Sequence, residues 1–60
     1  MNDEFQPGRL VLYVPYHAHG DMDHVDCEKG VITSVREETV FVRFRGETSQ
    51  GCKRDQLVLL

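Results

Sequence analysis

The sequence lacks an apolar run near the roughly 20 residues that a membrane-spanning helix needs. It also lacks any segment with helical periodicity over three turns. The first six residues carry two acids and no apolar core, which is not the pattern of a secretory signal. No concentrated basic patch is present either, which disfavours general binding to a nucleic-acid backbone. These absences predict a cytoplasmic protein with no membrane partner.

The chain has 60 residues and two cysteines, so it forms one domain with a thin core. Domains of this size often gain stability from a metal, a disulfide or a partner. In a chain without an export signal, reduced thiols or metal ligands are expected more than a disulfide. Charge is divided unevenly, because residues 1–28 contain six acids and one base, a formal charge of −5, whereas the remainder carries +2.

Apolar and β-branched residues occur in short runs that are typical of strands. Residues 9–14 (RLVLYV) end at Pro15, which has no backbone donor. Residues 30–36 and 39–45 are separated by Glu37 and Glu38, an arrangement that predicts a hairpin. The ETSQ segment between Gly46 and Gly51 predicts a brief strand, residues 53–56 a helical turn, and residues 57–60 a last strand.

This order predicts an all-β fold, a small five-stranded SH3-like barrel with a long first loop and one short 3-10 turn. Residues 1–8 form a polar N-terminal arm and residues 9–60 the barrel. Closure of the sheet would protect its edge strands from aggregation. The alternation of apolar residues predicts a core that consists of Leu10, Leu12, Val14, Val31, Thr33, Val35, Val40, Val42, Phe44, Leu57 and Leu59.

The segment HAHGDMDHVDC (residues 17–27) combines three histidines, three aspartates and one cysteine. Zinc prefers thiolate and imidazole, usually four ligands with two of them close together on a turn. His24 and Cys27 have this close spacing, which leads to the hypothesis of a zinc site made by His17, His24, Cys27 and Cys52, with His19 in reserve. Zn²⁺ is the one candidate cofactor.

The spacing matches no strong zinc-finger pattern, so a second interpretation stays open. In it the loop is simply solvated, and the carboxylates of Asp21, Asp23 and Asp26 cap turns. Cys27 and Cys52 would then be small buried apolar residues. A metallo-β-lactamase-like signature is excluded, because Met22 and Asp23 interrupt it and the chain is too short for that fold. A calcium loop is also excluded, because its glycine and distal glutamate are missing.

Catalysis is not expected, although Cys27 or Ser49 near a histidine would resemble a nucleophilic dyad. A barrel of this size offers little concave volume to enclose a substrate. Two binding functions remain. The first is a protein-interaction module that contacts another protein or a second copy of the chain, and the alternative is a single-stranded nucleic-acid (RNA) binder. The candidate contact residues are Tyr13, Tyr16, His19, Asp21, Asp23, Phe41 and Arg43.

The segments HAHGDMDH, DCEKG (26–30), VFVRF (40–44), TSQ (48–50) and RDQLV (54–58) resemble short proteins encoded by tailed phages and prophages. The resemblance covers about residues 10–59. It implies a small SH3-like barrel and a phage accessory protein that is made in the bacterial cytoplasm and acts on a host component. The partner that it implies is a host or phage protein, and it does not indicate which activity the protein has.

Overall fold

The computed structural model describes residues 4–46 and 48–60, and these form a five-stranded antiparallel sheet. The strands are β1 (Leu10–Tyr13), β2 (Glu28–Arg36), β3 (Thr39–Arg43), β4 (Ser49–Lys53) and β5 (Leu57–Leu59). Short 3-10 helices cover Tyr16–Ala18 and Arg54–Gln56. The all-β prediction with five strands is confirmed, and the second 3-10 helix lies where a helical turn was expected. The prediction of a single 3-10 turn is wrong, because the loop after β1 forms a further one at Tyr16–Ala18.

The sheet order is β4-β3-β2-β1-β5, so consecutive strands β2, β3 and β4 form a meander and β5 returns to the far side of β1. No hydrogen-bonded ladder joins β4 to β5 within residues 4–46 and 48–60. The expected closure of the sheet by hydrogen bonds is therefore not found. All five strands nevertheless contribute buried side chains to one apolar cluster, so the sheet curves around its core.

This cluster, the main core, consists of Val11, Ile32, Val40, Val42, Cys52 and Leu57. A second cluster, the loop core, contains Leu12, Val14 and Ala18 on the opposite side of β1. Both faces of β1 are thus covered, since successive side chains of a strand point to opposite faces. The near-continuous apolar sequence of β1 reflects this double burial.

The predicted core is correct for Leu12, Val14, Val40, Val42 and Leu57, which are all buried. Val35, Phe44 and Leu59 are partly buried and pack against the main core.

The prediction is wrong on β1 and β2, where Val11 and Ile32 are buried while Leu10 is 54% exposed. Val31 is only half-buried and Thr33 is exposed. A β-bulge explains the error on β2, because Ile32 pairs with Val42 and Ser34 with Phe41, leaving one extra residue between them. One extra residue reverses which side chains point inward.

The described part of the N-terminal arm packs onto the sheet. Phe5 contacts the main core, and the Arg54 guanidinium carbon lies 5.4 Å from its ring centroid. The Gly8 amide donates to the Ile32 carbonyl at 2.8 Å, which extends the pairing of β1 with β2. The arm therefore supplies an aromatic side chain to a core that has few large residues.

Candidate binding loop

The first loop (residues 14–27) joins β1 to β2 and is a succession of tight turns. Several backbone amides each donate to the carbonyl three residues earlier in the chain, with distances of 2.9 to 3.1 Å. The donors include Ala18, Asp21, His24 and Cys27. Gly20 and His19 adopt positive φ angles of 80° and 52°, which these turns require. The loop therefore has a defined backbone path although it contains no strand.

Two small side chains attach the first loop to the sheet. Ala18 is 4% exposed and belongs to the loop core, and Cys27 packs against the same cluster. The Cys27 thiol also donates to the Asp21 carbonyl at 3.3 Å. Because Ala18 follows His17 and Cys27 follows Asp26, each anchor lies next to a polar residue that remains at the surface.

These polar residues form the imidazole cluster, which consists of His17, His24 and Asp26. The His17 Nε2 and Asp26 Oδ2 atoms are 2.6 Å apart, and His24 Nδ1 lies 3.9 Å from the same oxygen. The two imidazole rings meet edge to face, with centroids 5.3 Å apart. One ligand atom from each residue lies within 4.8 Å of the others.

Hydrogen bonds define the proton positions in this cluster. The bond to His17 lowers the pKa of the Asp26 carboxyl, against a smaller opposing effect of desolvation. The Asp26 backbone amide donates to His24 Nδ1 at 3.0 Å, so that a neutral His24 carries its proton on Nε2. His24 Nδ1 therefore already has an unprotonated lone pair.

The zinc ligands expected from the sequence are only partly brought together. His17 and His24 are adjacent, whereas Cys27 directs its thiol to the Asp21 carbonyl and lies outside the cluster. Cys52 lies on β4 within the main core, where burial raises the pKa of its thiol. Asp26, a turn-capping residue in the solvated-loop interpretation and not a ligand in the zinc hypothesis, lies beside the two histidines instead.

A shallow hollow of about 370 Å³, the Tyr16 hollow, lies beside the imidazole cluster. It is lined by Val14, Pro15, Tyr16, His19, Gly20, Met22, Asp55 and Val58. The Tyr16 hydroxyl donates to Asp55 Oδ1 at 2.8 Å and thereby joins the first loop to the second 3-10 helix. This hydrogen bond raises the pKa of Tyr16, because an ionised phenol could not donate to the carboxylate.

The predicted contact residues are divided between two regions. Tyr16 and His19 line the Tyr16 hollow, whereas Tyr13 packs against the main core with its ring 5.9 Å from that of Phe44. Phe41 and Arg43 alternate with the buried residues of β3 and therefore lie on the outer face of the sheet.

The acidic residues of the first loop have separate roles. Asp21 Oδ1 accepts the Asp23 amide at 2.9 Å, so Asp21 caps a turn as the solvated-loop interpretation expected. Sequence reasoning did not identify Met22, Asp55 or Val58 as part of a surface. The apolar residue types of Met22 and Val58 were a weak indication of a contact surface. Only the fold brings Asp55 and Val58 next to the first loop.

A second hollow of about 370 Å³ lies between the β2–β3 turn and the second 3-10 helix. Its lining residues are Glu38, Thr39, Lys53, Arg54 and Asp55. Charges of both signs are present, and no aliphatic or aromatic side chain lines it. It is therefore a poorer site for an apolar group than the Tyr16 hollow.

Comparison of the chain with protein-family models, with curated proteins and with solved structures gave no match. Among the described residues, no helix is long and apolar enough to cross a membrane.

Proposed function

We propose that this chain is a non-enzymatic protein-interaction module that binds an extended segment of a host or phage protein at the Tyr16 hollow. The segment would carry an apolar side chain flanked by lysine or arginine. The observation that carries this proposal is the hollow itself, in which exposed apolar side chains and a carboxylate converge from two elements. The assignment to phage accessory proteins is part of the proposal and depends on the sequence resemblance alone.

The chemistry of the hollow selects the kind of partner. Val14, Pro15 and Val58 provide an apolar floor, while Met22 and Tyr16 are 46% and 59% exposed. Methionine adapts its shape to different apolar groups, which suits a docking surface. Asp55 lines the hollow, and the adjoining first loop contains three further aspartates and no lysine or arginine. A basic segment with an apolar anchor complements this surface in both respects.

An SH3-like arrangement forms part of the same proposal. In support of it, β1 pairs with both β2 and β5, the strands β2 to β4 form a meander, and a 3-10 helix precedes β5. The long first loop supplies most of the residues that line the hollow. Val14 belongs to the loop core and Val58 packs against it, so the apolar floor of the hollow is continuous with packed side chains.

The contacts of the two candidate nucleophiles, Cys27 and Ser49, favour a binding function over catalysis. The Cys27 thiol donates to a backbone carbonyl, and Ser49 Oγ lies 2.7 Å from Thr33 Oγ1. A nucleophilic mechanism requires a base within hydrogen-bond reach of the nucleophile. Neither hydrogen bond provides one.

The test is selection from a surface-displayed random peptide library, followed by fluorescence anisotropy with the enriched peptides. We expect enrichment of an apolar residue flanked by lysine or arginine. Met22→Ser should weaken binding by about tenfold, since it removes an exposed apolar side chain that lines the hollow. Val25→Ser is the matched control, because Val25 is 89% exposed on the same loop and does not line the hollow.

The alternative function is tested in the same assay with labelled single-stranded RNA of mixed sequence. Stacking on single strands would need neighbouring aromatic platforms, whereas Tyr13 and Phe41 lie on opposite faces of the sheet. We expect no RNA binding at low salt. Salt-dependent RNA binding without any enriched peptide would refute the present proposal in favour of the alternative function. Equal effects of Met22→Ser and Val25→Ser on peptide binding would refute the assignment of the binding surface to the hollow.

A further inference from the structure

We propose that His17, His24 and Asp26 bind one divalent first-row transition-metal cation, for which Zn²⁺ is the probe. Two imidazoles and one carboxylate would hold the ion, and solvent would complete its coordination. The ligand set differs from the one expected from the sequence, because it contains a carboxylate and neither cysteine. This site is separate from the peptide-binding surface and does not depend on it.

The donor types and their proximity carry the inference. Imidazole nitrogen and carboxylate oxygen are both ordinary ligands of Zn²⁺, at about 2.0 to 2.2 Å from the ion. Such bond lengths place ligand atoms roughly 3.3 to 3.6 Å apart in tetrahedral geometry. In the cluster, the Asp26 oxygen is 2.6 Å from His17 Nε2 and 3.9 Å from His24 Nδ1. One of these distances is shorter and the other longer than the ion requires, and the third pair of ligand atoms lies within 4.8 Å, so side-chain rotations would bring all three ligands to one ion.

The protonation state needs one rearrangement at His17. His24 Nδ1 has its lone pair available and would exchange the Asp26 amide hydrogen bond for the ion. His17 Nε2 now shares a proton with the Asp26 carboxylate. In the bound state this proton moves to His17 Nδ1 or is released, and both Nε2 and the carboxylate then face the cation. The ion thus takes the place of a proton between the same two atoms.

The backbone limits the entropy that binding would cost. All three ligands lie within ten consecutive residues whose turns are fixed by hydrogen bonds. Buried Ala18 and partly buried Cys27 hold the chain directly beside His17 and Asp26. The side chains themselves remain accessible, with exposed fractions of 62% for His17, 54% for Asp26 and 30% for His24. A cation can therefore enter from solvent without local unfolding.

The exposure of the ligands also defines the kind of site. A structural zinc site is usually closed by four protein ligands, whereas a site with three leaves a position for water. We therefore expect an exchangeable ion that a chelator removes without unfolding the sheet. Mg²⁺ and Ca²⁺ should compete poorly, because they favour sets composed of oxygen ligands.

The experiment titrates the untagged full chain with Zn²⁺ by calorimetry and with Co²⁺ by visible absorption. We expect one ion per chain and a cobalt spectrum without the intense near-ultraviolet band of thiolate ligands. His17→Asn, His24→Asn and Asp26→Asn should each weaken Zn²⁺ binding by at least about tenfold, by loss of one ligand of three. His24→Asn keeps an oxygen that can accept the Asp26 amide, so the turn is preserved.

His19→Asn is the matched control, since His19 lies on the same loop outside the cluster and asparagine tolerates its positive φ. Its Zn²⁺ affinity should equal that of the wild-type chain. NMR spectra of the wild-type chain should show Zn²⁺-dependent shifts of the His17 and His24 ring signals and none of comparable size at His19. Absence of stoichiometric binding, equal loss in His19→Asn, or a thiolate band would each overturn the proposal.

Discussion

Gly30 lies at a point in β2 where the structure leaves no space for a side chain. A Cβ atom added there would be 2.5 Å from Val42 Cγ1 and 2.8 Å from Phe44 Cδ1. It would also lie 3.0 Å from the Arg43 carbonyl oxygen, which belongs to the neighbouring strand and cannot rotate away. Val42 is fully buried, so its methyl group has little freedom to move. Gly30→Ala should therefore displace β3 relative to β2.

The magnitude follows from two opposing effects. Inserting a methyl group into a packed core costs about 1 to 3 kcal/mol. Alanine also restricts the unfolded chain, which offsets roughly 0.4 to 1 kcal/mol of that cost. The expected net loss of about 1 to 2 kcal/mol is large for a chain of this size, whose total stability is about 3 to 9 kcal/mol. The melting temperature should fall by roughly 5 to 15 °C.

Urea and thermal unfolding followed by circular dichroism measure this loss, with Gly51→Ala as the control. At Gly51 the nearest atom to an added Cβ is Thr39 Cγ2 at 3.1 Å, the end of a side chain on an edge pair. We expect that variant to stay within about 0.5 kcal/mol of the wild type. In the Gly30→Ala background, Val42→Ala should cost less than it does alone. Equal stability of the two glycine variants would refute the close packing of β2 on β3.

Three further predictions concern burial and protonation. Ile32→Ala should destabilise the fold by about 2 to 4 kcal/mol in urea unfolding, and Val31→Ala by much less, whereas the reverse order would contradict the bulged register. Cys52 should react slowly with iodoacetamide in the folded chain, because its thiol is buried and its pKa is raised. Rapid labelling detected by mass spectrometry would argue against that burial. The pKa of Asp26 lies below its unfolded value of about 3.9, so its ionised form contributes stability above that pH, and the contribution is lost as pH falls through the lowered pKa. NMR titration should show this pKa rising towards the ordinary value in His17→Asn.

The fold class was predictable because its signals are local. Short β-branched runs, a two-residue charged turn at Glu37 and Glu38, and glycines at segment ends are sufficient to indicate strands and a hairpin. Alternation in residues 39–45 placed Val40 and Val42 correctly in the core. The same rule failed on β2, since a bulge changes the alternation and depends on the pairing of Ile32 with Val42 rather than on the sequence of β2 itself.

The sequence indicated which segment would hold a site and which residue types it would contain, but not which individual residues would come together. The density of histidine and aspartate indicated that the first loop was chemically distinctive, and His17 and His24 do converge. Cys52 was included because its residue type suits zinc, but the meander carries it into the main core. Asp26 was left out of the zinc hypothesis, and the solvated-loop interpretation gave it a capping role, because sequence spacing does not show which carboxylate faces an imidazole. Its position depends on the anchoring of Ala18 and Cys27 beneath the loop.

By itself the sequence determined that this chain forms short strands, that one loop concentrates imidazole and carboxylate groups, and that the two halves differ in charge. Each of these properties depends on residues close together in the chain. Tertiary structure alone decided that β5 returns beside β1, that Asp55 and Val58 complete the Tyr16 hollow, and that Asp26 joins the two histidines. Those outcomes depend on contacts between residues that the curved sheet and the anchored first loop bring together, and no local pattern encodes them.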